Sequence, residues 1–170
     1  MSANSQPGPV AEYEAALRAR PGAVLKGAAE RDALDRVRNY LSNLMDPASR
    51  ARTAEVYAKD AFFNDTLKTK VGAEAICKYF DATASNAEAV RVEFHDAARS
   101  GADYYLRWTM EIEFKKFHRG RAFRSIGITH LRFDQDGRVI LHQDYWDAAS
   151  GFFEQVPVLG SSIRWIKSML

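Results

Sequence analysis

Apolar positions along this chain change their period once. From Ala29 to Met45, Leu34, Val37, Leu41 and Leu44 recur at helical spacing and predict an amphipathic helix. Asp46-Pro47 then reads as an N-cap followed by proline at the first helical position, predicting a second helix to about Ala58. Gly72 to about Ala84 predicts a third, with Ile76, Tyr79 and Phe80 facing inward. Between these two, Ala61-Phe62-Phe63-Asn64-Asp65 is a short strand candidate. Residues 1–28 read as a mobile extension carrying one short helix, Ala11 to Arg18, ahead of Pro21-Gly22.

Past residue 90 the period becomes two. Val90 to Phe94 alternates, and Leu106 to Phe114 alternates most cleanly, with Leu106, Trp108, Met110, Ile112 and Phe114 as one apolar row. A turn at His118-Arg119-Gly120 leads into Phe123 to Phe133, and Asp136-Gly137 is a hairpin signal into Arg138 to Asp147. Helices followed by a four-stranded antiparallel meander predict an α+β fold. In the last strand His142, Asp144 and Trp146 share one face, and Leu141, Gln143 and Tyr145 the other. In the strand before it, Thr129 and Gly127 lie opposite Ile126, Ile128 and His130. Gly127 either leaves space on the inner face or marks a bulge. Apolar residues on both faces suggest helices on one side of the sheet and a second subunit on the other.

Composition narrows the function classes. The chain has 170 residues, 46% hydrophobic and 27% charged, which suits one soluble domain with a real core. A net charge of +2, with basic and acidic residues interspersed, gives no argument for nucleic acid. Cys77 is the single cysteine, so no intrachain disulfide or cysteine-based zinc site forms; beside Ile76, Tyr79 and Phe80 it reads as a buried, inert thiol. His95, His118 and His130 have no spaced partner that suggests a metal. No apolar run reaches membrane-spanning length and the first ten residues lack a signal-peptide core, so a cytoplasmic protein is expected.

Three stretches carry a resemblance. Tyr57 to Asp65, Arg132 to Val139 and Asp144-Tyr145-Trp146-Asp147 make residues 30–147 similar to the nuclear transport factor 2-like superfamily. That group includes ketosteroid isomerase and the SnoaL-like polyketide cyclases. The resemblance implies a cone: three N-terminal helices packed on a curved, mostly antiparallel sheet around an apolar cavity. It sets Asp65 at the isomerase's general base and Tyr40 near its oxyanion-hole tyrosine. Thr129 stands where the isomerase has a protonated carboxylic acid, which argues against steroid isomerisation as such. Trp146 matches a cavity-lining tryptophan, which by parity brings His142 and Asp144 inward. Asp144 is the counterpart of the cyclases' late-strand acid/base. The implied organisation is an extension over residues 1–28, the domain over 29–150, and a tail over 151–170.

Each candidate has a plain structural alternative. Asp65 is a base, or a carboxylate capping backbone N–H groups at a strand end. Tyr40 is a hydroxyl donor, or a core tyrosine at the edge of its helix's apolar stripe. His142 tunes Asp144, or is simply hydrogen-bonded. Trp146, Trp108, Met110 and Phe63 form cavity wall or core, and Thr129 is a weak donor. Two functions compete: a cofactor-independent isomerase, cyclase or dehydratase acting on a small hydrophobic carbonyl compound, and a non-catalytic module binding an apolar ligand or a protein partner. A homodimer through the sheet's outer face is expected, and no cofactor or metal. The tail, with Ile163, Trp165, Ile166, Met169 and Leu170 broken by Arg164 and Lys167, forms an amphipathic helix that closes the cavity or meets a partner. With two cations, membrane contact is the less favoured reading.

Overall fold

The computed structural model describes residues 8–116, 120–148, 165 and 167–169. His118, Phe152 to Gly160 and, in the predicted tail helix, Ile163, Arg164, Ile166 and Leu170 lie outside the described residues; Trp165, Lys167 and Ser168 are helical. The elements run α1 (Pro9–Ala19), α2 (Gly27–Ser42), α3 (Pro47–Ala51), α4 (Thr53–Val56), β1 (Tyr57–Asn64), β2 (Thr69–Val71), α5 (Ala73–Asn86), β3 (Ala87–Ser100), β4 (Asp103–Phe114), β5 (Phe123–Phe133) and β6 (Val139–Trp146). The six strands make one curved sheet in the order β2-β1-β6-β5-β4-β3. All neighbours are antiparallel except β1 and β6, which run parallel with Phe63 beside His142.

The meander is the expected one, the strand candidate at Ala61 is found as the end of β1, and β2 is added. Asp136-Gly137 turns it as predicted: Gly137 sits at φ 74 and Asp134 Oδ1 accepts the amides of Asp136 and Arg138. The single helix expected over 47–58 is divided. Asp46 does cap it, accepting from the Ala48 amide at 2.9 Å, but Arg52 leaves helical geometry at ψ 11 and Tyr57 is already strand. Beta-pairing overrides helical spacing here because Tyr57 to Asn64 lies between β2 and β6. The core fills the concave face, where Val37, Tyr40 and Leu41 of α2 and Ile76 and Phe80 of α5 pack against Phe63, Leu106, Leu131 and Val139. Cys77 differs from expectation: it is half-buried, with Sγ donating to the Arg50 carbonyl at 3.6 Å.

Within the expected extension, helix α1 packs on the sheet. Tyr13, Ala16 and Leu17 of α1 cover Phe62 and Leu141 on the convex face, which would otherwise leave two large apolar side chains in water. Polar contacts align the helix. Glu12 accepts from Thr69, which accepts from Asn64, which in turn accepts from Gln143. At the other side Tyr13 meets His130 Nδ1 at 2.9 Å, and His130 Nε2 meets Asp103 at 2.6 Å. His130 is therefore outward-facing, as alternation predicts, yet only 1% exposed. Burial holds its pKa below the ordinary histidine value, although Asp103 opposes the shift. Arg132 pairs with Asp103 and donates to the carbonyls of Leu17 and Arg20, closing the C-terminus of α1.

Arg132→Ala leaves those carbonyls and Asp103 without their cation. We expect cleavage by trypsin after Arg18 or Lys26 to rise severalfold under native conditions, with about 1–3 kcal/mol of stability lost in urea unfolding. Unchanged proteolysis would mean that the apolar contact alone holds α1.

Candidate active site

A cavity of about 420 Å³ opens between the concave face and α2 and α5, a volume suited to a small molecule. Eight of the nine residues predicted from sequence line it: Asp144, Asp65, His142, Trp146, Trp108, Thr129, Met110 and Phe63. Val90, Val92 and Phe94 of β3 and Ile112 and Phe114 of β4 extend its apolar wall. The polar groups sit mainly where β1, β5, β6 and α5 converge.

One hydrogen-bonded chain crosses this polar end. Trp108 Nε1 donates to Thr129 Oγ1 at 2.8 Å, and Thr129 donates to Asp144 Oδ1 at 2.5 Å. His142 Nε2 meets the same Oδ1 at 2.9 Å, and its Nδ1 meets the Tyr57 hydroxyl at 3.0 Å. Indole can only donate, so the threonine proton must go to Asp144. Oδ1 is then an acceptor, which requires the His142 proton on Nε2 and leaves Nδ1 to accept from Tyr57. With Asp144 ionised and His142 neutral, a single assignment of protons satisfies every bond. Burial, with smaller contributions from Tyr40 and Asp144, pushes the Tyr57 hydroxyl far above its usual pKa, so it remains a donor. His142 is 1% exposed and packs on the rings of Tyr57 and Phe63. Among the described residues no group bonds Asp144 Oδ2, the oxygen left for the cavity.

Asp65 is held differently. The turn after β1 places Thr66 at φ 77, where a β-branched residue is strained, and side chains hold it there. Asn64 Oδ1 accepts the Thr66 amide, and Asp65 Oδ1 accepts those of Leu67 and Lys68 at 3.0 and 2.7 Å. Asp65 Oδ2 accepts from the Tyr79 hydroxyl of α5. Burial raises the Asp65 pKa above the ordinary carboxylate value; Tyr79 and the Lys68 amide pull it down, and Asp144 pushes it up. Tyr79 is itself raised, by burial and then by Asp65. Trp146 Nε1 donates to the Asp65 carbonyl at 2.7 Å, fixing β6 to the end of β1.

Tyr40 is the exception among the predicted residues. Its hydroxyl donates to Thr53 Oγ1 at 2.7 Å, beneath α4, and burial pushes its pKa up to about 12. It is a core tyrosine outside the cavity, not an oxyanion donor. Thr129 lines the cavity, but its proton is committed to Asp144. Two phenols outside the sequence-predicted site join it: Tyr57, noted only in the stretch that resembles the family, and Tyr79, read as an inward-facing residue of its helix. The inward stripe of α5 already contained Tyr79, and pairing it with Asp65 required the fold. Among the described residues no three His, Cys, Asp or Glu side chains gather as a metal site.

A helix-backed, curved sheet whose concave face holds this polar end defines a nuclear transport factor 2-like α+β cone. The chain belongs to the SnoaL-like domain family, whose model matches residues 26–142. No curated protein gives a significant match. Solved structures share the fold. A Catenulispora acidiphila protein with a ketosteroid isomerase-like fold, in complex with trimethylamine, is 21% identical at TM-score 0.60, covering 69% of this chain and 88% of its own. An LEH-like epoxide hydrolase of M. tuberculosis is 16% identical at TM-score 0.59, covering 72% and 83%. A Jannaschia protein assigned as a SnoaL-like polyketide cyclase is 12% identical at TM-score 0.59, covering 72% and 90%.

Gly127 faces Trp108 across the sheet, and a Cβ there would stand 2.4 Å from the indole ring. Glycine thus leaves space, as one of the two sequence readings held. Gly127→Ala is expected to displace Trp108, break its bond to Thr129 and cost about 1–3 kcal/mol. Urea unfolding and the position of tryptophan emission check both effects.

Proposed function

We propose that the protein is a cofactor-independent acid/base enzyme for a small hydrophobic carbonyl compound, of isomerase, cyclase or dehydratase type, with Asp144 as the base. The observation that carries this reading is the asymmetry of the Asp144 carboxylate. Oδ1 is saturated by Thr129 and His142, while Oδ2 is left for the cavity. A base so held presents one lone pair in a fixed direction, and proton transfer is efficient when donor and acceptor are prealigned. The apolar wall would take the carbon skeleton of the substrate, with Trp108 and Trp146 flanking the reacting end. His142 and Tyr57 orient the base and carry hydrogen-bond polarity towards it. The SnoaL-like family and the neighbour assigned as a cyclase support this class of chemistry.

Asp144→Asn keeps the shape of the site and removes the base. Against a carbonyl substrate identified from molecules that co-purify with the protein, kcat should fall about 10²–10⁴-fold, with ligand affinity within severalfold of wild type. Turnover that survives this change would exclude Asp144 as the base, whereas a wild-type protein that binds the compound without turning it over would leave the cavity as a binding site alone, the reading that its largely apolar wall favours.

We read the assembly as a homodimer acting in the cytoplasm. Ile126 is 68% and Ile128 43% exposed on the convex face, next to the exposed rings of Tyr105 and Tyr145, and α1 leaves this part uncovered. Among the described residues no helix is long and apolar enough to cross a membrane. Ile128→Glu should halve the mass measured by sedimentation equilibrium while leaving the unfolding transition cooperative.

A further inference from the structure

Beside the base, the cavity holds a second titratable pair whose hydrogen bond can run either way. Asp65 Oδ1 is occupied by two backbone amides, so a proton added to this carboxyl goes to Oδ2, the atom facing Tyr79. With Asp65 ionised, the Tyr79 proton is spent on Oδ2. With Asp65 protonated, Oδ2 donates to the phenol oxygen instead, and the Tyr79 proton turns to the cavity that Tyr79 lines. We infer that Tyr79 is the group that binds the oxygen of a carbonyl ligand, and that Asp65 is its positioning residue rather than a second base.

Three observations favour this over a catalytic Asp65. A base needs a free lone pair aimed at the substrate, and both Asp65 oxygens already accept bonds within the protein. The donors expected from sequence are unavailable, since Tyr40 serves Thr53 and Thr129 serves Asp144. A ligand oxygen in this cavity needs a donor, and Tyr79 is the lining hydroxyl whose proton can be released by one protonation. The burial of Asp65 and the charge of Asp144 both favour its protonated form. The charged and titratable groups around the pair are Asp144 and His142 of β6, and Lys70 of β2, whose ammonium lies 5.8 Å from the Tyr79 ring centre. None of them hydrogen-bonds Asp65 Oδ2. The ligand class follows: a flat apolar molecule bearing one carbonyl or enolic oxygen, bound with that oxygen at Tyr79 and an adjacent carbon at Asp144. This orientation rests on the role proposed for Asp144; the donor assignment does not.

The sign of the pH dependence is fixed by the geometry. Affinity for a neutral oxygen acceptor is highest when Asp65 is protonated, and falls as pH rises through the Asp65 pKa. Asparagine at position 65 mimics the protonated acid. Its Oδ1 keeps the Leu67 and Lys68 amides, and its Nδ2 donates to Tyr79 at every pH. The test uses 2-acetonaphthone, an aromatic ketone without an ionisable group, with binding read by quenching of tryptophan fluorescence from the ordinary carboxylate pKa, about pH 4, up to pH 8. We expect wild-type affinity to fall severalfold across that range, Asp65→Asn to bind tightly and without pH dependence, and Tyr79→Phe to bind roughly three- to tenfold more weakly than Asp65→Asn. Asp65→Asn weakened as much as Tyr79→Phe, or Tyr79→Phe equal to wild type at the acid end of the range, overturns the inference. Absence of binding by all three proteins overturns it as well. Asp144→Asn measured alongside separates the two proposals: its binding should keep a pH dependence of the same sign, moved to lower pH because the charge that raises Asp65 is gone, and its loss of turnover belongs to the role of the base alone.

Discussion

The site depends on a requirement that buried polar groups find partners. Trp108, Thr129, Asp144, His142 and Tyr57 come from β4, β5, β6 and β1, and each is removed wholly or largely from water. A donor or acceptor left unpaired here would cost about 1–3 kcal/mol. With Asp144 ionised and His142 neutral, satisfying all of them leaves one arrangement of protons and, among the described residues, one carboxylate oxygen without a bond. The network therefore does structural and chemical work through the same bonds: it fixes the register of four strands and aims the base. Gly127 belongs to this constraint although it has no polar atom, because its missing side chain lets the Trp108 indole reach Thr129.

Much of this was legible before any coordinates. Alternation in the last strand put His142, Asp144 and Trp146 on one face, and that face is the cavity. The apolar row of Trp108 did the same for β4. Such parity is reliable because a strand's side chains alternate strictly, and one face must be dry. What parity cannot express is distance between separate elements. Asp65 and Tyr79 are fourteen positions apart, on a turn and a helix, and no periodicity links them. Tyr40 had the opposite fault. Its helix position was right, but a hydroxyl at the rim of an apolar stripe can turn to either neighbour, and Thr53 satisfied it. The helix predicted over 47–58 failed for a related reason, since tertiary pairing claimed Tyr57 and Ala58 for the sheet.

The two faces of the sheet use histidine in parallel ways. His142 on the concave side and His130 on the convex side are both buried, each between a tyrosine hydroxyl and an aspartate. They differ in what the carboxylate does next. Asp144 keeps an oxygen for the cavity, whereas Asp103 is closed off by Arg132. The same triad geometry thus serves reactivity on one face and attachment on the other. An arginine marks the difference.

The docking of α1 also sets an order of events. Its partners His130, Arg132 and Leu141 lie more than 110 positions further along the chain. Closing so long a loop is entropically unfavourable until β5 and β6 are paired and their convex face exists. Helix α1 is synthesised before β5 and β6 and can complete its contacts only once they have paired. During that interval Phe62 and Leu141 are uncovered as the sheet completes, so the newest protein carries an apolar face that the mature protein conceals.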